Sequence, residues 1–265
     1  MVGIFDSGVG GLTVAKAVLG ELPSHAVVYF GDTARVPYGS KSKELVVQYS
    51  KEITEFLLSK KADVIVVGCH TASALASDEL KRAYPKIPIF DVIKPGLVAA
   101  YKATKNKKIG IIGTEGTIAA EVHEKMLKQM DPSVKVFTAA CPLLVSLAEE
   151  GWVSKPETKR IIKFYLRKLK AAQVDTLVLA CTHYPILLKD IESFMSRRGK
   201  KITTIDPGVE TAKELKLFLE KNPEYAKEKA ENVFYVSDYT PRVDRIAKMI
   251  FKKPISFKKA DLKTK

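Results

Sequence analysis

Residues 62–73 read ADVIVVGCHTAS and residues 174–185 read VDTLVLACTHYP, and this near-repetition decides the fold. In each stretch an aspartate precedes a short apolar run, and a cysteine follows six positions after it: Cys69 in the first stretch and Cys181 in the second. Short β-branched runs of this kind are typical of buried parallel strands. A polar turn and a helical pattern follow each run. Both thiols are therefore predicted at the carboxyl ends of strands, where open α/β sheets bind their ligands.

A second pair of segments supports the repetition. The opening VGIFDSG (residues 2–8) resembles KIGIIGT (residues 108–114). Gly3 precedes Cys69 by 66 residues, and Gly110 precedes Cys181 by 71. Any two βα units of one large sheet can look alike, but the shared spacing favours a pair of similar domains. Two thiols on two similar halves suggest one site with a sulfur on each side.

We therefore predict an α/β fold of two pseudo-symmetric domains with mainly parallel sheets and an active site in the cleft between them. The first domain is predicted to be discontinuous (residues 1–95 plus 208–265) and the second to span residues 96–207. The two domain crossings, where the chain passes from one domain to the other, are predicted near Pro95-Gly96 and Pro207-Gly208. The predicted strands are 2–5, 26–30, 63–67, 88–90, 108–112, 134–138, 175–180, 202–205, 233–236 and 255–257. The predicted helices include 11–21, 41–60, 72–84, 117–129, 156–172, 186–197 and 240–251.

Composition and charge narrow the class of protein. The 265 residues carry a formal charge of +14, and lysines greatly outnumber arginines. Such a charge can attract nucleic acid or acidic substrates. However, the lysines are scattered and no nucleic-acid-binding motif is present, so solvated helix faces are the simpler interpretation. No segment is long and apolar enough to span a membrane. Three unpaired cysteines fit a reducing compartment, and we expect a cytoplasmic protein.

The two repeated cysteines are the candidates for chemistry. A cysteine acts as base or nucleophile in its thiolate form, which a helix N-terminus stabilises, and both Cys69 and Cys181 precede predicted helices. A zinc site is the alternative, but neither Cys69-His70-Thr71 nor Cys181-Thr182-His183 has the usual ligand spacing. The third cysteine, Cys141, lies in a short apolar stretch and is interpreted as a small buried hydrophobic residue.

Three polar loops at strand ends complete the candidate cleft. DSGVGG (residues 6–11) is either an anion-binding turn with free backbone N–H groups or a structural turn capped by Asp6. GDTARVPYGSKS (residues 31–42) and GTEGTI (residues 113–118) add further turn formers and hydroxyls. Small hydrogen-bond donors at several strand ends are what a carboxylate-binding pocket requires.

Taken together, these segments resemble the glutamate racemases, which belong to the cofactor-independent aspartate/glutamate racemase superfamily. The resemblance covers most of the chain. It is carried by FDSGVGGLTV (5–14), GDTARVPYG (31–39), GCHTASA (68–74), GTEGTI (113–118), CPLLVSLAEEG (141–151) and ACTHYP (180–185).

The resemblance implies a reaction and a set of residues. Cys69 and Cys181 would be the two acid/base groups that flank the substrate α-carbon and interconvert L- and D-glutamate for peptidoglycan synthesis, with no cofactor and no metal. The thiols would be assisted by Asp6 and His183. Asp32 and one acid of the Glu149-Glu150 pair are weaker candidates; Glu149 is the one chosen here, although either could face the site. The substrate would be bound by Asp6, Ser7, Tyr38, Gly39, His70, Thr71, Thr114, Thr117, Thr182 and His183. A homodimer is the usual assembly in this family, and we expect one here.

Two positions depart from the family pattern. His70 stands where the family commonly has asparagine, which replaces a neutral amide with an imidazole that can be charged near neutral pH. Gly116 stands where alanine is usual, with little expected effect. Because of His70, a relative acting on aspartate or another dicarboxylate stays an alternative. A basic binding protein that kept the fold and lost the chemistry is a third possibility, although the retained cysteines and His183 oppose it.

Overall fold

Ten strands form two parallel sheets in the computed structural model, which describes residues 1–196, 201–225 and 231–262. In chain order the strands are β1 (Val2–Asp6), β2 (Val27–Gly31), β3 (Val64–Val67), β4 (Ile89–Asp91), β5 (Lys108–Gly113), β6 (Lys135–Ala140), β7 (Thr176–Ala180), β8 (Thr203–Ile205), β9 (Val233–Val236) and β10 (Phe257–Lys259). All ten lie within two residues of the predicted positions. The six-stranded sheet has the order β10-β9-β2-β1-β3-β4, and the four-stranded sheet has the order β6-β5-β7-β8.

Each sheet is buried on both faces by helices. Along β1, Val2 and Ile4 belong to one apolar core while Phe5 belongs to the core on the opposite face. Strand β7 shows the same alternation, since Leu177 and Val178 lie in different cores. Side chains that alternate between two apolar faces explain why these strands are continuous hydrophobic runs. The predicted α/β fold of two parallel sheets is confirmed.

Eleven α-helices lie within the described ranges. They are α1 (Leu12–Glu21), α2 (Lys43–Ser59), α3 (His70–Ala83), α4 (Ile93–Ala103), α5 (Glu115–Ala119), α6 (Val122–Met130), α7 (Leu143–Glu149), α8 (Pro156–Ala171), α9 (Leu188–Met195), α10 (Pro207–Lys221) and α11 (Pro241–Phe251). No helix in the described part of the chain is both long and apolar enough to cross a membrane.

The helix predictions need three corrections. The single helix predicted over 117–129 is two helices, α5 and α6, because Glu121 between them adopts a left-handed conformation with φ of +55°. The helix predicted over 186–197 begins with a 3₁₀ turn (Tyr184–Leu187) before α9, and its predicted last residue lies outside the described residues. Helices α4, α7 and α10 were absent from the prediction.

The two predicted domain crossings lie on helices rather than in loops. Pro95 is in the first turn of α4 and Pro207 is the first residue of α10, where a proline costs no intrahelical hydrogen bond. A Cβ on Gly96 would lie 2.7 Å from Cβ of Pro207, so the crossings pack directly against each other. The first sheet takes its strands from residues 2–91 and 233–259, and the second from residues 108–205. The division at 95/96 and 207/208 stays a prediction.

Candidate active site

A cavity of about 40 Å³ lies where the carboxyl ends of the two sheets meet. Cys69 follows β3 of the first sheet and Cys181 follows β7 of the second, and both line this cavity. The opposed thiols are therefore contributed by the two halves of the molecule. Nine predicted binding residues also line it: Ser7, Tyr38, Gly39, His70, Thr71, Thr114, Thr117, Thr182 and His183.

Cys69 is the N-cap of α3. Its Sγ lies 3.5 Å from the backbone nitrogen of Ala72, which donates to it, and 3.5 Å from Oγ of Ser7. The side chain is buried, and burial together with the negative charge of Asp6 raises the pKa of the Cys69 thiol to about 12. The helix N-terminus and Ser7 oppose this increase without cancelling it. In the unliganded protein Cys69 is therefore held as a neutral thiol, which is the form that donates a proton.

Cys181 has a basic partner. Its Sγ lies 3.8 Å from Nδ1 of His183, and Nε2 of the same ring lies 2.9 Å from Oε1 of Glu149. Burial alone would lower the pKa of His183, but the hydrogen bonds to Cys181 and Glu149 outweigh it and raise that pKa to about 10. His183 is consequently an imidazolium at neutral pH. Its Nδ1–H can therefore donate a hydrogen bond to the sulfur of Cys181.

Asp6 lies beneath the cavity instead of on its lining. Its Oδ2 accepts hydrogen bonds of 3.0 Å from the backbone N–H groups of Gly8 and Gly11, and its Oδ1 lies 3.5 Å from the Thr182 hydroxyl. The expectation that this loop leaves N–H groups free for an anion is therefore wrong for Gly8 and Gly11. The alternative, a structural turn capped by Asp6, is confirmed. Burial raises the pKa of Asp6, although the charge of His183 opposes it.

Three threonine hydroxyls form a triangle on one side of the cavity. Oγ1 of Thr71 lies 3.0 Å from that of Thr114 and 3.1 Å from that of Thr117, and the last two are 2.9 Å apart. Thr71 lies in the first turn of α3, whereas Thr114 caps α5 and Thr117 lies within α5, so the triangle joins the two halves. Gly39 packs against Thr114 so closely that an added Cβ would lie 2.9 Å from its Cβ.

His70 is buried and stacks on His123 of α6, with ring centroids 6.1 Å apart. Within residues 1–196, 201–225 and 231–262, Nδ1 of His70 and Nε2 of His123 have no hydrogen-bond partner. Burial, with His123 nearby, lowers the pKa of His70 well below its usual value. The expectation that His70 can be charged near neutral pH is therefore wrong, and the cavity meets a neutral imidazole. In that respect His70 resembles the asparagine that is common at this position.

The remaining predicted residues have supporting positions. Asp32 is fully buried and binds Arg35, Tyr38 and Ser237, so it fixes the loop that carries Tyr38. Of the acidic pair in α7 and its C-cap, Glu149 contacts His183, whereas Glu150 is more exposed and pairs with arginines. Cys141 is fully buried in the core of the second half, as predicted.

Sequence reasoning missed several functional neighbours. Arg242 of α11 pairs with Glu149, and His123 stacks on His70. Val36 and Val145 also line the cavity. No spacing links Arg242 or His123 to the cysteine motifs, because only the folded chain brings them together.

Known proteins are similar to this chain in sequence and in fold. A family model described as Asp/Glu/Hydantoin racemase matches residues 13–215. A glutamate racemase of Aquifex aeolicus is 44% identical over 249 residues, covering 94% of this chain and 93% of the relative. One from Geobacter metallireducens is 47% identical over 212 residues, covering 80% of this chain and 77% of the relative.

Solved structures of glutamate racemases have the same fold as this chain. A glutamate racemase isoform of Bacillus anthracis superposes with a TM-score of 0.93 at 36% identity, covering 99% of this chain and 97% of that one. A Francisella tularensis glutamate racemase in complex with D-glutamate gives 0.91 at 30% identity, covering 98% and 97%. The chain is an amino-acid racemase and belongs to the Asp/Glu/hydantoin racemase family. The relatives named above are glutamate racemases, which confirms the resemblance.

Proposed function

We propose that this protein interconverts L- and D-glutamate by a two-base mechanism in which Cys69 and Cys181 act on opposite faces of the α-carbon, with no cofactor. The observation that carries the proposal is the cavity lined by one cysteine from each half. Relatives named glutamate racemase, which cover nearly the whole chain, support glutamate as the substrate.

The two cysteines have unequal surroundings, which suggests a direction for each. The Cys181 thiolate, beside the His183 imidazolium, removes the α-proton of L-glutamate and becomes a thiol. The Cys69 thiol donates its proton to the opposite face and becomes a thiolate, so D-glutamate forms. The reverse reaction uses the same groups with exchanged roles. Exchange of protons with solvent then restores the starting charges.

The reaction needs strong help because the α-proton of an amino acid is far less acidic than a thiol. Each pKa unit of mismatch costs about 1.4 kcal/mol. In the proposal, the hydroxyls of Thr71, Thr114 and Thr117 hold the α-carboxylate and stabilise the charge that develops on it. Ser7, Tyr38, Gly39, His70 and Thr182 complete the binding site. Placing sulfur and carbon in contact before reaction supplies a further part of the acceleration.

In the cell we assign this activity to D-glutamate supply for peptidoglycan synthesis in the cytoplasm, by a homodimer. D-Glutamate is a component of bacterial cell-wall peptides, and the similar proteins named above are all bacterial. Light scattering of the purified protein tests the dimer.

The test of the reaction uses Cys69→Ala and Cys181→Ala in buffer without pyridoxal phosphate. Each variant is expected to lose racemisation of glutamate by at least about 10³-fold, because each removes one of two required proton carriers. Cys141→Ala is the matched control, since that thiol is fully buried in the apolar core and does not line the cavity, and it keeps activity. Full activity in either of the first two variants contradicts the mechanism. Turnover of aspartate but not glutamate by the unaltered protein contradicts the substrate.

A further inference from the structure

Arg242 bridges the two halves of the molecule next to the site. It lies on α11 of the first half, and one terminal nitrogen lies 2.9 Å from Oε2 of Glu149 on α7 of the second half. The same nitrogen lies 2.9 Å from Oε1 of Glu150. The other oxygen of Glu149 is the one that contacts His183. A continuous series of contacts thus runs from Cys181 through His183 and Glu149 to an arginine on the opposite half.

Packing against the core holds the helix that carries Arg242 in place. The neighbouring side chains of α11, Val243 and Ile246, are buried in the apolar core of the first half. A helix anchored in this way fixes where the guanidinium can reach. Arg242 itself is half-exposed and can pair with both carboxylates of Glu149 and Glu150.

Glu149 needs such an anchor because it has room to turn away. A cavity of about 220 Å³ lies beside it, lined in part by Gly8, Val36 and Arg242. A carboxylate next to open space and to a second carboxylate, Glu150, is favoured to rotate toward water. The guanidinium holds one oxygen of Glu149, and the remaining oxygen then points at Nε2 of His183.

From this geometry we infer that Arg242 is a positioning residue for the reaction: it orients Glu149, and through Glu149 it keeps His183 in place beside Cys181. The inference rests on the proposed two-cysteine mechanism. The contact between Arg242 and Glu149 forms only when the two halves are together, because α11 belongs to the first half and α7 to the second.

The chain supplies a matched control on the same helix. Arg245 lies one turn after Arg242 and contacts Glu150 at 3.1 Å and the backbone carbonyl of Glu149 at 3.4 Å, but not the Glu149 carboxylate. Arg242→Gln and Arg245→Gln therefore remove the same charge from the same region. If the arginines act only through their charge or by holding the halves together, both variants lose activity. If Arg242 positions Glu149, only Arg242→Gln loses activity.

The experiment compares Arg242→Gln, Arg242→Lys and Arg245→Gln by steady-state kinetics in both directions. Arg242→Gln is expected to lower kcat for glutamate about tenfold with a smaller change in KM, since the affected group acts on the proton and not on binding. Arg242→Lys keeps a cation that can reach one carboxylate oxygen and restores part of the loss. Arg245→Gln stays within about twofold of the unaltered protein.

A second measurement does not depend on turnover. The chain has four histidines, so the ring signals of His183 are identified in a nitrogen-15 spectrum by comparison with His183→Gln. Arg242→Gln is expected to lower the pKa of His183 by about one unit, a tenfold change in its protonation constant, because Glu149 is no longer held against the ring. Arg245→Gln leaves that pKa unchanged.

The outcomes separate this inference from the function on which it rests. Unaltered protein that fails to racemise glutamate contradicts the proposed function, while a fall in the pKa of His183 in Arg242→Gln still supports the positioning contact. Racemisation by the unaltered protein combined with equal kinetics and equal His183 pKa in Arg242→Gln and Arg245→Gln overturns the inference. Loss of activity in Arg242→Gln with no change in the pKa of His183 also overturns it.

Discussion

Cys69 and Cys181 occupy similar places in their sheets but differ in charge environment. Asp6 and burial raise the pKa of Cys69, while the imidazolium of His183 lies against Cys181. Residues of the same type therefore have different electrostatic surroundings in the two halves. The sequence repetition predicts the shared positions, whereas the difference arises from neighbours brought in by the fold.

The stacked pair of His70 and His123 predicts a stability change in acid. Burial lowers the pKa of His123 to about 4 from an ordinary value of 6.5. Between these values the unfolded chain binds a proton that the folded protein does not, so the free energy of unfolding decreases as the pH falls from 6.5 to 4. The contribution of His123 is about 3 kcal/mol, from about 1.4 kcal/mol for each pKa unit.

The check is urea unfolding of the unaltered protein and of His123→Phe at pH 6.5 and pH 4. Phenylalanine keeps a ring against His70 but binds no proton, so the variant is expected to lose less stability over this interval. An equal loss in both proteins shows that His123 does not titrate as described.

Helix α1 and the glycine loop before it set the distance between Asp6 and the opposite half. A Cβ on Gly10 would lie 2.5 Å from Oγ1 of Thr182 and 2.6 Å from the ring of His183. Contacts this short with the buried side chains of Thr182 and His183 require a shift of the loop or of the imidazole. The glycine at this position thus permits close approach of the two halves.

Gly10→Ala, just before α1, and Gly20→Ala, in the last turn of α1, make a matched pair of variants. Gly10→Ala is expected to lower activity by about 10² because it displaces His183, and to lower the free energy of unfolding by about 1–3 kcal/mol. No atom of the described part of the chain lies within 4 Å of a Cβ added at Gly20. Gly20→Ala in the last turn of α1 is therefore expected to keep activity and to raise the free energy of unfolding by up to about 1 kcal/mol. Kinetics and urea unfolding measure both, and full activity in Gly10→Ala contradicts the packing described.

The positions of the strands can be predicted from the sequence, whereas those of several helices cannot. The reason lies in the residues at the ends of these elements. The apolar β-branched runs of β3 and β7 end at turn residues, so their limits are visible in the sequence. Helices α4 and α10 begin at or near prolines, which suggested breaks in the chain, although a proline in the first turn is compatible with a helix. The division at Glu121 depends on a left-handed residue that no nearby glycine signals.

Across the whole molecule, the site exists because two sheets direct their carboxyl ends toward one cavity. Residues next to the strands, such as Ser7, Thr114 and Thr182, could be predicted because they follow recognisable runs. Arg242 and His123 could not, since their contacts depend on how α11 and α6 pack. The charge of +14 does not identify a partner, and the surface ion pairs contribute little to stability.

The proposed mechanism requires a separate sulfur on each face of the substrate carbon. Its most direct test is racemisation of L-glutamate by the unaltered protein in deuterated water, with both enantiomers analysed by mass spectrometry before equilibrium. Two thiols predict that the D-glutamate formed carries solvent deuterium while the recovered L-glutamate keeps its hydrogen. D-Glutamate that retains the original hydrogen, or equal early deuterium in both enantiomers, would mean that one group serves both faces and would contradict the mechanism.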